Sequence, residues 1–218
     1  MKDSREEMLE RMRRRLGRTA ENAASARAGI EATLARRAHG PRPPLEADLL
    51  ARFVARAELS SSSVDVVTGL DAAPAAVARY VDRQPATGNR QLVAWPQLSG
   101  LDWAGAGLQV ECRAARGDDL VGITGVFCAV AETGSLAVLS GAETPAANSL
   151  LPETHIAIVP AARIVPGMEE AWQLIRAECG ELPRAVNFIS GPSRTGDIEQ
   201  TLVLGAHGPY RVHIVVVR

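Results

Sequence analysis

Met8, Leu9, Met12 and Leu16 recur at helical spacing over residues 4–18, and Ser4 with Glu7 forms a capping-box pattern, so an amphipathic helix is expected there. Arg11, Arg13, Arg14 and Arg15 lie on its outer face, offset by Glu6, Glu7 and Glu10. That face reads as a solvated surface or as an arm for an acidic partner. Alanine-rich residues 19–38 continue as helix or as a loosely packed extension. The segment His39–Pro44, HGPRPP, breaks the pattern because adjacent prolines cannot sit within a helix. Helical spacing resumes in Glu46–Leu59, with Leu49, Leu50, Phe53 and Val54 on one side. The expected division is therefore a helical extension with its proline-rich linker over 1–45 and an α/β domain over 46–218.

Downstream, short β-branched runs alternate with helical stretches. Val64–Thr68, Arg90–Trp95, Leu108–Cys112, Val126–Ala131, Leu136–Leu139, Ile156–Val159, Val186–Ile189 and Val212–Val217 read as strands, and Ala72–Gln84 and Gly167–Cys179 as helices. Ile198–Leu204 fits either. Apolar runs of four to six residues without alternation indicate strands buried on both faces, as in parallel α/β sheets. Residues 120–140 read as consecutive strands, which predicts a mixed, largely parallel sheet flanked by helices.

The 218 residues suit one domain with an extension or a tight pair at about 150 residues per domain. Apolar residues make up 46 % and charged residues 22 %, so a buried core is possible. Twenty-four basic and twenty-five acidic side chains leave a net charge of −1, which removes the electrostatic case for nucleic acid. No apolar stretch approaches the roughly 18 residues of a membrane span, and the charged N-terminus lacks the apolar core of a signal peptide. Lys2 is the only lysine, which argues against phosphate-binding P-loops, Schiff-base chemistry and pyridoxal phosphate anchoring. Cys112, Cys128 and Cys179 contain no C-x-x-C pair and are too few for an iron–sulfur cluster. They read as reduced thiols of a cytoplasmic protein. The four histidines show no zinc-binding spacing, and no nucleotide fingerprint follows the early strands, Gly105-Ala106-Gly107 being the nearest.

Candidate chemistry gathers where polar clusters follow apolar runs. Glu132-Thr133-Gly134-Ser135 follows Val126–Ala131, and Ser190 to Asp197 follows Val186–Ile189; His207-Gly208-Pro209 forms a third cluster. If the first two runs are parallel neighbours, their clusters share the carboxyl edge of the sheet, where ligands of open α/β sheets bind. In the second cluster Gly191 and Gly196 permit close backbone approach, and Ser193 and Thr195 offer hydroxyls and amides. Arg194 can pair bidentately with a carboxylate or phosphate, and Asp197 can orient it. An ordinary capped turn with Arg194 in solvent is the alternative. Glu132 ends an apolar run, so it is a candidate base or nucleophile, or a carboxylate paired with an arginine. His207 is a candidate acid–base partner, whereas His155 and His213 fall within strand-like runs and read as packed. Trp95 and Trp103 read as core residues that could wall a pocket.

Four stretches together carry a resemblance: ITGVFCAVAETGSL (Ile123–Leu136), SLLPETHIAIV (Ser149–Val159), IVPGMEEAWQLI (Ile164–Ile175) and ISGPSRTGDIEQTLVLGAHGP (Ile189–Pro209). The sequence resembles the LUD-domain family, and within it the lactate-utilisation protein C group, over roughly residues 60–218. The resemblance implies a fold similar to the glucosamine-6-phosphate isomerase, ribose-5-phosphate isomerase and coenzyme A transferase superfold. It also implies a part in oxidising L-lactate to pyruvate, with iron–sulfur clusters carried by the A and B partner proteins and no cofactor or metal on this chain. By analogy with the transferases, Glu132 would occupy the place of their acyl-accepting glutamate, although Glu132-Thr133-Gly134 departs from their Glu-Asn-Gly. The site residues expected on this basis are Glu132, Thr133, Gly134, Ser190, Gly191, Ser193, Arg194, Thr195, Asp197 and His207, contacting a small carboxylate or phosphate.

Overall fold

A computed structural model of the chain describes residues 4–42, 44, 47–84, 91–195 and 203–218. The chain divides into two units, Met1–Pro43 and Pro44–Arg218. In the first, helix α1 spans Ser4–Arg15 and helix α2 Ala23–Arg36. The alanine-rich stretch is not helical from residue 19. Thr19 and Asn22 exchange backbone–side-chain hydrogen bonds of 2.9 and 3.3 Å, a reciprocal box that starts α2.

The second unit opens with α3 (Leu49–Leu59), which starts three residues later than its hydrophobic pattern suggests because Asp48 caps it, accepting from the Ala51 amide at 3.0 Å. Phe53 and Ala57 on its inner face are fully buried. Strand β1 (Ser63–Val67) follows, then α4 (Ala73–Asp82), β2 (Gln91–Ala94), β3 (Gln109–Cys112), β4 (Val121–Thr124), β5 (Cys128–Val130) and β6 (Ser135–Leu139). The short α5 (Ala147–Leu150) leads to β7 (Thr154–Pro160) and β8 (Ile164–Val165). The chain ends with α6 (Met168–Cys179), β9 (Val186–Ile189), β10 (Arg194–Thr195), β11 (Val203–Leu204) and β12 (Arg211–Val217).

Six strands form a sheet in the order β1-β12-β7-β4-β2-β3, with every neighbouring pair parallel. Its central strands are buried on both faces: Val212, Ile214, Val215 and Val216 of β12 and Ile156, Ala157, Ile158 and Val159 of β7 are in the core. That burial is why these runs show no alternation. Strands β8-β5-β6-β9 form a second sheet, with β6 antiparallel to both β5 and β9. The mixed character expected from residues 120–140 thus belongs to a separate small sheet. Strand β4 escapes the pattern because Gly122 and Thr124 interrupt its apolar run, although all four of its residues are buried.

Candidate functional site

Strands β5 and β9 run in the same direction but are not neighbours. The hairpin turn at residues 131–134, closed by the Gly134 amide on the Val130 carbonyl at 2.9 Å, returns the chain as β6 and inserts it between them. The two polar clusters still share one edge of this sheet. The register places Leu136 opposite Ile189, so Ser135 at the start of β6 lies beside Ser190 just past β9. Their hydroxyls are 2.6 Å apart, and Thr133 Oγ1 lies 2.7 Å from Ser135 Oγ. The result is a chain of three hydroxyls with the buried Ser135 in the middle. Such a chain can turn one donor or acceptor outward without breaking its internal bonds.

Gly134 and Gly191 are dictated by the end of helix α3 and the residue that caps it. Gly134 has φ +69°, and a Cβ there would lie 2.4 Å from the Ala57 amide nitrogen. Gly191 has φ +79°, and a Cβ there would lie 2.0 Å from the Ser60 carbonyl oxygen. Only glycine combines this backbone region with so close an approach.

The third cluster joins the second through Ser193. Its amide donates to the Pro209 carbonyl at 2.9 Å, its carbonyl accepts from the Gly205 amide at 2.9 Å, and its hydroxyl accepts from the His207 amide at 3.4 Å. His207 itself is exposed. Arg194 and Thr195 pair with Leu204 and Val203 in a two-stranded ladder. The Arg194 guanidinium donates to the Ser61 hydroxyl and, at 3.5 Å, to the Ser60 carbonyl. Arg194 therefore ties β10 to the α3–β1 corner. Gly196 and Asp197 lie outside the described residues, as does most of Ile198–Leu204; its last two residues form β11.

The first two clusters follow the carboxyl ends of β5 and β9, but relative to the six-stranded sheet their place is different. The 205–210 segment feeds the start of β12, and residues 60–63 feed the start of β1, so the second and third clusters gather at the amino edge of the parallel sheet. The carboxyl edge instead carries a cleft of about 450 Å³ lined by Trp95, Gln97, Val126, Phe127 and Arg163 among others. Trp95 is buried there with its indole N–H on the Pro145 carbonyl at 3.0 Å, and Trp103 packs in the core. Arg163 is neutralised by Glu178 through bonds of 2.8 and 3.0 Å.

Glu132 is half-buried beside the start of α6. Its amide donates to the Pro166 carbonyl at 3.0 Å, and its Oε2 lies 3.0 Å from where a Cβ on Gly167 would sit. The carboxylate therefore faces the amino terminus of α6, which favours negative charge.

The remaining titratable candidates are packed. His155 on β7 is fully buried with Nε2 on the Thr124 hydroxyl at 2.8 Å, and burial pushes its pKa down to about 4. His213 on β12 stacks on Tyr80 at 3.9 Å and meets the Ser63 hydroxyl through Nδ1 at 2.9 Å. Burial is the main reason its pKa also falls to about 4, with Asp65 opposing and Arg83 assisting. All three cysteines are free, and burial pushes the Cys128 thiol up to about 11. Among the described residues no group of three or more His, Cys, Asp or Glu side chains is placed to hold a metal ion. None of the described helices is long and apolar enough to cross a membrane. Sequence reasoning passed over the run of four serines, Ser60 to Ser63, at the α3–β1 corner. Its signal was present: four hydroxyl residues between a helix and a strand.

Known proteins are similar to this chain. Lactate utilization protein C of Bacillus licheniformis is 37 % identical over 135 residues, covering 55 % of this chain and 56 % of the relative. The protein of the same name from Bacillus subtilis is 38 % identical over 128 residues, 53 % of each chain, and that of Halalkalibacterium halodurans 44 % over 100 residues, 44 % of each. The chain thus spans about half the length of the relatives it matches. A crystal structure of a DUF162 family protein from Deinococcus radiodurans superposes with a TM-score of 0.60 at 26 % identity, covering 80 % of this chain and all of that one. The LUD domain model matches residues 50–217, nearly all of the second unit and more than half of the chain, so this protein belongs to the LUD domain family.

Proposed function

We propose that the chain is a subunit of a lactate-utilisation system, oxidising lactate to pyruvate together with iron–sulfur partner proteins, and that it binds a small anionic ligand without a cofactor of its own. The name borne by its relatives supports the lactate context. The observation that carries ligand binding is the convergence of three sequence-distant segments on the α3–β1 corner, which brings Ser135, Ser190, Ser193 and Arg194 into one patch of hydroxyls, amides and a guanidinium. Guanidinium and hydroxyl donors suit carboxylate or phosphate oxygens. The proposal places the protein in the cytoplasm, where three free thiols stay reduced.

The test is reconstitution. The purified chain alone should not oxidise L-lactate with an artificial electron acceptor, and it should co-purify with the iron–sulfur A and B proteins of its own system. Lactate oxidation by the isolated chain at a useful rate would contradict the subunit reading. A self-sufficient sugar-phosphate isomerase or acyl-CoA transferase is the second reading, motivated by the half-buried Glu132 at the end of β5. A glutamyl–CoA thioester trapped at Glu132 with borohydride or hydroxylamine would favour it.

A further inference from the structure

Beside the α3–β1 corner, at the amino edge of the parallel sheet, lies a cleft of about 600 Å³. That size suits a small molecule. We infer that this cleft binds a small monocarboxylate bearing a hydroxyl or keto oxygen, with Arg83 and Arg211 holding the carboxylate and the hydroxyls of Ser62 and Tyr80 facing the second oxygen. The inference rests on the ligand-binding reading above and assigns it to residues that reading does not use.

Three observations carry it. Ser62 lines the cleft and is 6 % exposed, yet its hydroxyl has no hydrogen-bond partner among the described residues. A buried hydroxyl left without a partner is destabilising unless a ligand or water completes it. Both guanidiniums are only loosely engaged by carboxylates: Arg83 lies 3.7 Å from Asp65, and Arg211 lies 3.5 Å from Glu153. Arg211 is aimed by its own bond to the Thr154 hydroxyl at 3.0 Å and by packing on the Tyr210 ring at 5.3 Å. The Ser63 hydroxyl, which lines the cleft, joins Tyr80 to the buried His213, so the Tyr80 phenol is fixed by stacking and hydrogen bonding together.

Charge selects the ligand class. Glu58 and Asp65 also line the cleft and balance its two arginines. A dianionic phosphate would face both carboxylates, whereas a monocarboxylate brings one charge and suits the polar hydroxyl wall.

Isothermal titration calorimetry of the full chain with pyruvate, L-lactate and inorganic phosphate tests this. Pyruvate or lactate should bind more tightly than phosphate. Arg83→Gln, whose side chain is exposed enough to leave the fold alone, should weaken carboxylate binding about tenfold. Ser62→Ala should also weaken it while unfolding no earlier than the parent, and Arg163→Gln at the opposite edge should bind as the parent does. Loss of binding in Arg194→Ala with Arg83→Gln at full affinity would overturn this inference and leave the ligand-binding reading standing. Tighter binding of phosphate than of either carboxylate would overturn the ligand class. No heat with any of the three would overturn both the inference and the ligand-binding reading for this chain.

Discussion

The two edges of the parallel sheet are built from different chemistry. At the amino edge, serines, arginines and two tyrosines line an open cleft, and two glycines let the 134 and 191 turns press against the end of α3. At the carboxyl edge, Trp95, Val126 and Phe127 line a smaller cleft whose one cation, Arg163, is held by Glu178 and lies 4.7 Å over the Phe127 ring. Ligands of open α/β sheets usually sit at the carboxyl edge. Here the Ser62 hydroxyl without a partner and the loosely paired guanidiniums of Arg83 and Arg211 are on the other side. The difference teaches that an edge rule locates where strands end, while the donors and acceptors left for a ligand decide where one can bind.

The largest effect should come from adding a methyl group where the amino-edge turns meet α3. Gly191→Ala and Gly134→Ala each place a Cβ against backbone at 2.0 and 2.4 Å in a left-handed conformation, and should destabilise by roughly 2–5 kcal/mol in urea denaturation. Parental stability in both would mean that these turns do not pack as described.

Acid should act next, through the same side of the sheet. His155 and His213 are buried neutral, with pKa values pushed down to about 4 from the ordinary 6.5, and no histidine lines the carboxyl-edge cleft. The unfolded chain takes up protons first as the pH falls. The stability these residues contribute is therefore complete above about pH 6.5 and is lost progressively toward pH 4, by up to roughly 3 kcal/mol each. Thermal melts from pH 7 to pH 4.5 should show this fall, and His155→Gln should flatten part of it. A level profile in the parent would contradict the burial of both rings.

Ser62→Ala sharpens the comparison further. Removing a buried hydroxyl without a partner should leave stability unchanged or raise it by about 1 kcal/mol, in contrast to the usual loss on truncating a buried polar residue. A clear loss in denaturant would show that the hydroxyl is satisfied in the free protein. Glu132→Gln should give the smallest change, within about 0.5 kcal/mol, because the carboxylate is only half-buried and its attraction to the α6 terminus is weak. It should also leave pyruvate affinity as in the parent; a tenfold loss in the same titration would bring Glu132 into the ligand site.

Much of the fold was legible in local pattern. The unbroken apolar runs of β7 and β12 announced strands buried on both faces, and the close succession of strands near 120–140 announced antiparallel pairing. Strand β4 was hidden by Gly122 and Thr124, since a glycine and a buried hydroxyl carry no hydrophobic signal. The meeting of the first two clusters was foreseen, but through neighbouring strands; the inserted β6 and the choice of edge depend on long-range pairing that no local pattern encodes. The serines at the α3–β1 corner carried no reading, because hydroxyl residues between two elements look alike whether they cap a turn or line a cleft. Arg83 and Arg211 were invisible as a pair, being brought together only by the pairing of β1 with β12 and the packing of α4 on both.

The most direct test of an amino-edge site is backbone amide NMR of the chain during a pyruvate titration. The account predicts chemical-shift changes at residues 61–63 and 211–213, with little change at residues 125–127 and 163. Changes confined to Gly125, Phe127 and Arg163 would place the ligand at the carboxyl edge and contradict it.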